Sequence, residues 1–426
     1  MKVLIVGSGG REHVIAWKCA QSPRVEKVYC APGNAGIAQV AELVPLKADQ
    51  FEELADFAEE NEIGLTIIGM DDPLVGGIVD VFEARSLRVF GPRKNAAILE
   101  GSKAFSKDLM KKYGIPTAAY ETFTDKEKAR EYLKSLAKYP VVLKASGLAL
   151  GKGVLICETE EEALEGCEQI MGVKKFGSAG DEMVVEEFLT GKEVSVLTFV
   201  DGTHVKEMAS AQDHKRAGDG DTGLNTGGMG NFSPSPFYTK DVQQFCREKI
   251  FQPTVDAMKA EGREFCGVIF FGLMLTEEGP KVLEYNCRFG DPEAQVVLPR
   301  MENDIIDVFE ACIDGTLDRL DLTFSQDACV CVVLASDGYP AAYEKGKEIR
   351  GLERFDGKDD YFCFHAGTAL KDGKIVTNGG RVLGVTALGK DLRQARAKAY
   401  EAVEWVDFDN RYFRHDIAKA IDEIAF

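Results

Sequence analysis

The stretch Glu284-Tyr-Asn286-Cys-Arg288-Phe-Gly290-Asp291-Pro-Glu293 holds residue types that imply chemistry most directly. In an extended strand, residues i and i+2 face the same way. Glu284 and Asn286 can therefore offer two hard oxygen ligands to one Mg²⁺-like cation, which takes few protein ligands and completes its shell with phosphates. Arg288, two residues on, can clamp a phosphoryl group during transfer. The same letters also fit the solvated face of an edge strand, with Arg288 and Asp291 as a surface ion pair of small worth. The local sequence leaves both readings open.

Three other stretches could carry chemistry. Lys144-Ala-Ser-Gly147-Leu148-Ala-Leu-Gly151-Lys152-Gly153 combines glycines, which let backbone N–H groups approach phosphate oxygens, with lysines that add charge. Gly153 stands where a Walker A loop has Ser or Thr, so the geometry implied is a glycine hairpin over phosphates; a bare flexible turn is the competing reading. Gly7-Ser8-Gly9-Gly10-Arg11-Glu12 follows a buried strand run. A dinucleotide fingerprint needs Gly or Ala where Glu12 stands, which argues against a nicotinamide or flavin site. The helix start and Arg11 still make an anion site, set against a ligand-free tight turn. Gln212-Asp213-His214-Lys215-Arg216 opens a stretch with six glycines within 218–230, which suits substrate capture or a lid. His214 reads as structural. There is no Gly-x-Ser-x-Gly and no His-Glu-x-x-His.

The elements that position these residues follow from periodicity. Strand-like runs at 3–6, 25–30 and 65–69 alternate with helical stretches to residue 20 and at 51–61, which implies a parallel sheet covered on both faces. Residues 102–140 read as helical, with Thr124 and Glu127 as a capping box for a helix over 125–138, and Thr159 with Glu162 as another. Strands are expected at 141–144, 154–157, 183–187, 193–200, 267–275 and 281–286, with 212–236 as loop. From about 325, short strands and glycine turns precede a helix at 392–405.

Composition bounds the rest. A chain of 426 residues with 45% hydrophobic residues buries a large core, and suggests two to four domains. Seventy acids against 51 bases give a formal charge of −19, which argues against a nucleic-acid groove and requires local cationic pockets for any phosphate ligand. Eleven scattered cysteines without a C-x-x-C pair read as reduced, mostly buried thiols of a cytoplasmic protein. No apolar run is long enough for a membrane span.

In their order, these motifs resemble the ATP-grasp superfamily and, within it, the phosphoribosylamine–glycine ligase family. VGSGGREH at 6–13, LEGSK at 99–103, LKASGLALGKGV at 143–154, QDHKRAGDGDTGLNTGGMG at 212–230 and EYNCRFGDPEAQ at 284–295 look like that family's signatures. The 212–230 and 284–295 stretches are specific to it; the glycine loop is general to the superfamily. The resemblance implies an α/β and α+β multidomain chain. Its parts are an N-terminal Rossmann-like parallel α/β (pre-ATP-grasp) domain at 1–101, an ATP-grasp domain at 102–324 and a small C-terminal α+β domain at 325–426. A glycine-rich ATP-binding subdomain falls at about 118–192. A stand-alone bacterial enzyme, monomeric and without appended domains, is the expectation.

The implied reaction belongs to purine biosynthesis. ATP phosphorylates glycine, and 5-phosphoribosylamine attacks the glycyl phosphate to give glycinamide ribonucleotide, ADP and phosphate. By resemblance, Lys103, Lys144 and Lys152 meet ATP phosphates under the loop Gly147, Leu148, Gly151 and Gly153. Glu186, Glu187 and Leu189 line adenine, and Glu193 holds ribose. Glu284 and Asn286 bind Mg²⁺ or Mn²⁺. Arg288 stabilises the acyl phosphate, with Asp213, Lys215, Asp291 and Gly290 near glycine. Gly9, Gly10, Arg11 and Asn34 hold phosphoribosylamine.

The chain departs from the family pattern at Ser146, where Asp is usual, at Leu150, and at Met70-Asp71-Asp72-Pro73. The run 270–275 supplies no carboxylate for a second metal. Three other readings remain: another ATP-grasp carboxylate–amine ligase, a nicotinamide-dependent oxidoreductase using residues 3–12, and a nucleotide-binding scaffold without turnover.

Overall fold

The computed structural model describes residues 1–149 and 152–424. Leu150 and Gly151 of the glycine loop lie outside the described residues.

The strand Lys2–Gly7 explains the N-terminal architecture. Val3 and Ile5 belong to one core with Val14 and Ile15, while Leu4 and Val6 belong to another with Leu54 and Ala55. Both strand faces are thus covered, which is why the run is continuously apolar. Five parallel strands follow the order Glu42–Leu43, Lys27–Pro32, Lys2–Gly7, Ile63–Ile68, Val89–Phe90.

Two four-stranded sheets form the middle. One orders Tyr120–Phe123, Met183–Glu187, Val141–Ala145 and Val154–Cys157, all antiparallel. The other orders Val205–Glu207, Lys192–Asp201, Cys266–Thr276 and Gly279–Asn286, also antiparallel.

The fourth sheet crosses a long sequence gap. Ala328–Ser336 is buried along its whole length, pairing with Arg381–Gly389 on one side and Gly230–Ser233 on the other. Its odd residues Cys329 and Cys331 join the core shared with the N-terminal sheet. Val330, Val332 and Leu334 instead pack beneath Ala395, Ala399 and Ala402 of the helix Leu392–Val403.

Three expectations need correction. Residues 212–236 are not all loop: they contain the strands Gln212–Asp213, Arg216–Gly218, Thr222–Asn225 and Gly230–Ser233. These strands are too short for alternation to show, and the partner of Gly230–Ser233 lies far along the chain. The supposedly helical 102–140 contains the edge strand Tyr120–Phe123, held by Met183–Glu187. Asp125, not Thr124, caps the helix Lys126–Ser135 through the N–H of Lys128. Thr159 does cap its helix, accepting from Glu162 N. All eleven cysteines are free thiols, nine of them buried. Among the described residues no helix is long and apolar enough to cross a membrane.

Asn34 ties the N-terminal loop to the C-terminal sheet. Its Nδ2 donates to Ser8 O (2.9 Å) and His365 O (2.8 Å), and its Oδ1 accepts from Gly36 N and Ile37 N. Removing it strands several buried backbone groups, each costing about 1–3 kcal/mol when unpaired. Asn34→Ala is therefore expected to lower unfolding free energy by about 3 kcal/mol in urea melts, a loss at the larger end for one substitution. A change below about 0.5 kcal/mol, typical of an exposed surface site, would refute that role.

Candidate active site

One cleft of about 1040 Å³ runs between the two central sheets and reaches both the N-terminal turn and the C-terminal region. Its lining includes Arg11, Lys103, Lys144, Leu148, Lys152, Gly153, Glu186, Glu187, Leu189 and Glu193. Asp213, Lys215, Glu284, Asn286, Arg288 and Asp291 complete the set of expected residues found there. Gly9, Gly10, Asn34, Gly147 and Gly290 lie outside the lining, and Gly151 is among the residues not described.

The cations arrive already paired. Lys144 Nζ lies 3.0 Å from Glu186 Oε2 and donates to Leu283 O. Lys215 pairs with Glu193 and, at 3.5 Å, with Glu284. Burial works against the Lys215 charge, but Glu193 and Glu284 outweigh it and hold the ammonium well above its usual range. Burial likewise opposes ionisation of Glu284, yet Lys215, Lys144 and Lys103 prevail and bring its carboxyl down to about 2. Lys103 reaches Gly147 O at 3.1 Å, and burial pulls its ammonium downward.

Arg288 is set by two acids that motif reading missed or left in doubt. Its Nη2 lies 3.1 Å from Glu100 Oε1 and 3.8 Å from Asp71 Oδ2, while its buried Nε has no partner. Glu100 also accepts from Asn286 Nδ2 (2.9 Å) and Cys287 N (2.7 Å). The amide hydrogens of Asn286 thus point to Glu100, which leaves Oδ1 as its ligand atom. An ionised Glu284 and an amide oxygen are a donor set that fits a hard divalent cation. Among the described residues, one compact group of potential ligands, Asp201, His204 and Asp318, lies elsewhere, outside the cleft lining.

The departures have local accounts. Ser146 Oγ accepts from Ala104 N at the start of the helix Lys103–Tyr113, so a short acceptor serves there. Asp71 faces Arg288, and burial is outweighed by Arg288 and Arg11 in keeping it ionised. Gly147 packs so closely that a Cβ would lie 2.9 Å from Ala179 Cα.

The N-terminal turn is filled. Glu12 Oε2 accepts from Gly9 N at 2.6 Å, and Oε1 pairs with Arg11 Nε at 2.5 Å. A Cβ on Gly7 or Gly69 would strike the Glu12 side chain. Glu12 thus occupies the crevice at the strand ends where a dinucleotide would bind, which argues against the oxidoreductase reading. Arg11 Nη1 and Arg288 Nη1 both reach Phe289 O at 3.3 Å, so two guanidiniums converge beside the turn.

Other cleft residues carried little sequence signal. Val142, Ile156, Met274 and Leu283 join Leu189 as apolar lining. Lys107 lies 3.6 Å from Glu186, and burial lowers its ammonium to about 8. Glu186 Oε1 is buried without a partner. Asp213 and Glu293 are buried carboxylates that burial raises; Glu293 adds to the rise at Asp213, and Asp291 to that at Glu293.

Comparison with known proteins settles the family. Models of phosphoribosylglycinamide synthetase match along the chain: the N domain over residues 1–100, the ATP-grasp (A) domain over 101–294 and the C domain over 329–420. The chain belongs to the phosphoribosylglycinamide synthetase family. A phosphoribosylamine–glycine ligase of Caldanaerobacter subterraneus subsp. tengcongensis is 50% identical over 98% of this chain and 99% of its own. The crystal structure of phosphoribosylamine–glycine ligase from Thermotoga maritima matches with a TM-score of 0.85 at 38% identity, covering 98% of this chain and 100% of that one. The fold alone is shared with the biotin carboxylase domain of Hydrogenobacter thermophilus 2-oxoglutarate carboxylase, solved with MgADP. There the TM-score is 0.74 at 19% identity, over 97% of this chain and 91% of that one. The architecture is thus the synthetase family's: an N-terminal parallel sheet, a central ATP-grasp fold and a C-terminal domain. Enzymes of this fold use ATP and a divalent metal.

His214 lies in the cleft lining but is built as a strut. Its Nδ1 donates to Gly230 O (3.1 Å) and its Nε2 accepts from Ala418 N (3.2 Å), so the ring is neutral. Burial lowers it from 6.5 to about 4. The fold therefore favours the uncharged ring. That stability is full above about pH 6.5, the unfolded value, and is lost as pH falls towards 4. Urea midpoints should fall between pH 7 and pH 4.5 by more in the wild type than in His214→Gln, which keeps a donor and an acceptor without titrating. Equal falls would remove His214 from the acid response.

Proposed function

We propose that this cleft joins glycine to 5-phosphoribosylamine at the expense of ATP, through glycyl phosphate, releasing glycinamide ribonucleotide, ADP and phosphate. The observation that carries the reading is the gathering of the expected lysines, Glu284, Asn286 and Arg288 into one cleft, in a chain matched along its length to ligases of that name. Phosphoryl transfer requires positioning and charge stabilisation more than a protein nucleophile. That agrees with a cleft built of paired charges and without a Ser-His or Cys-His constellation among the motifs.

Placement in the cleft supports the following roles. The apolar lining around Val142, Ile156, Leu189 and Leu283 takes the adenine, with Glu186 Oε1 as an unpaired acceptor for its amino group. Glu187 lies beside this slot. Glu193, held by Lys215, faces the ribose hydroxyls. Lys103, Lys144 and Lys152 receive the phosphates, Lys103 and Lys144 exchanging the Gly147 and Leu283 carbonyls for phosphate oxygens. Glu284 and Asn286 would hold Mg²⁺ or Mn²⁺, which neutralises phosphate charge when bound. Arg288, braced by Glu100 and Asp71, directs its unpartnered Nε to the charge that develops on the acyl phosphate. Asp213, Lys215 and Asp291 bind glycine. Arg11, with Gly9 and Gly10 at the turn beside Asp291, receives the phosphoribosylamine end. Asn34 supports that turn from behind.

ADP release in the presence of ATP, Mg²⁺, glycine and freshly made phosphoribosylamine is the direct test. Turnover should require both glycine and the amine; ADP formation independent of either would end the assignment. Arg288→Ala is expected to lower kcat by about 10²-fold or more, as for a lost transition-state donor. A near wild-type rate would take Arg288 out of the mechanism. Glu284→Gln should shift the Mg²⁺ titration of ATP turnover to higher concentration, and an unmoved curve would exclude Glu284 as a ligand.

A further inference from the structure

The stretch 226–230 is held by residues that arrive a hundred positions or more later. Arg381 opens the strand Arg381–Gly389, and its Nη1 lies 2.9 Å from Gly227 O and 2.8 Å from Asp291 O. Tyr339 Oη accepts from Gly227 N at 3.0 Å. Both backbone groups of Gly227 are therefore taken by side chains of the C-terminal region. Packing closes the rest: a Cβ at 227 would lie 2.9 Å from Arg381 Cζ. At Gly228, with φ of +122°, a Cβ would lie 2.5 Å from Pro292 Cδ and 2.7 Å from Asp213 Oδ1. The Gly227-Gly228 backbone is thus threaded between Arg381 and the Asp213 carboxylate, which itself keeps a buried, unpartnered oxygen.

Charge points the same way. Asp213, Asp291 and Glu293 crowd one end of the cleft, and each acts on Arg381. Arg381 Nη1 lies 3.6 Å from Asp291 Oδ1. Burial would raise the Asp291 carboxyl, but Arg381, then Arg11, hold it below its usual range. An ammonium group of a small amino acid needs an ionised carboxylate at a fixed position, and for Asp291 Arg381 contributes to both, through the bond to its carbonyl and the charge beside its carboxylate.

We propose that Arg381 and Tyr339 are positioning residues that clamp Gly227 and so build the amino-acid subsite, making the C-terminal region a working part of the active site. This inference rests on the ligase reading for its substrate, and on the hydrogen bonds alone for the clamp. Both residues line the cleft and act through the Gly227 backbone.

The test uses the full chain with Arg381→Ala, Arg381→Lys and Tyr339→Phe. In Arg381→Ala, the KM for glycine should rise about tenfold or more, the effect of one lost charge-assisted hydrogen bond, while the KM for ATP stays within about twofold. Arg381→Lys should recover part of the loss, because one ammonium still reaches the Gly227 and Asp291 carbonyls. Tyr339→Phe, which deletes a single oxygen, should raise the glycine KM a few-fold. The double variant should cost less than the product of the two, since both act on one peptide unit. Amide exchange at 226–229 in the ligand-free protein should quicken at least about tenfold in Arg381→Ala.

An unchanged glycine KM, or equal rises for glycine and ATP, would overturn the proposal. Unaltered exchange at 226–229 would do the same without reference to turnover. Should wild-type ADP release prove independent of glycine, the ligase reading fails, and the exchange comparison alone decides whether the clamp exists.

Discussion

One buried carboxylate orders the reactive end of the cleft. Glu100 accepts from the Asn286 amide and the Cys287 N–H, and forms an ion pair with the Arg288 guanidinium. Asn286 and Arg288, the proposed metal ligand and phosphoryl clamp, are thereby aimed from the same point. The acid is expensive to bury, and burial raises it despite Arg288. Its three partners offset that cost and are positioned by it. The helix Lys94–Gly101 that carries Glu100 belongs to the junction of the N-terminal and central regions, so the joint between them is itself part of the active site.

Rigidity comes from shared cores. The core under Val3 and Ile5 also contains Phe90, Phe199, Phe289, Phe309, Cys329 and Cys331, drawn from all three regions of the chain. Phe90 and Phe309 pack at 4.3 Å between ring centroids, and Phe199 sits edge-on to Phe289. Side chains that must hold reactive groups to within a fraction of an ångström are thus anchored on packed strands. The negative surface does not prevent anion binding, because inside the cleft nearly balanced ion pairs replace the bulk excess of acid.

What the sequence made legible is local. The two-residue spacing of Glu284 and Asn286 does bring both into the cleft, and the strands expected on either side of the glycine stretch do pair antiparallel. The apolar run 3–6 reads correctly as a strand covered on both faces. Glu100, Lys107 and Arg381 were not legible as site residues, because each matters through partners 79 or more positions away; Glu100 lies within the LEGSK stretch, but nothing local shows that it braces Arg288. Asn34 illustrates the converse. Its type and place fit a ligand-binding turn, yet all four of its hydrogen-bonding positions are used internally. The strands within 212–236 were hidden for a related reason: a strand of two to four residues has no period to read, and only its partner defines it.

The pairing of Gly230–Ser233 with Ala328–Ser336 has a consequence for synthesis. A ribosome adds about 5–20 residues each second, so the glycine-rich stretch waits several seconds for the strand that will hold it. Arg381 and Ala418 emerge later still. The nascent N-terminal sheet can be native while the turn at Gly227 has no fixed shape. The turn at Gly227 is thus fixed only after both central sheets have been made, so a chain released short of Arg381 has the central walls of the cleft without the side chain that ties Gly227 to Asp291.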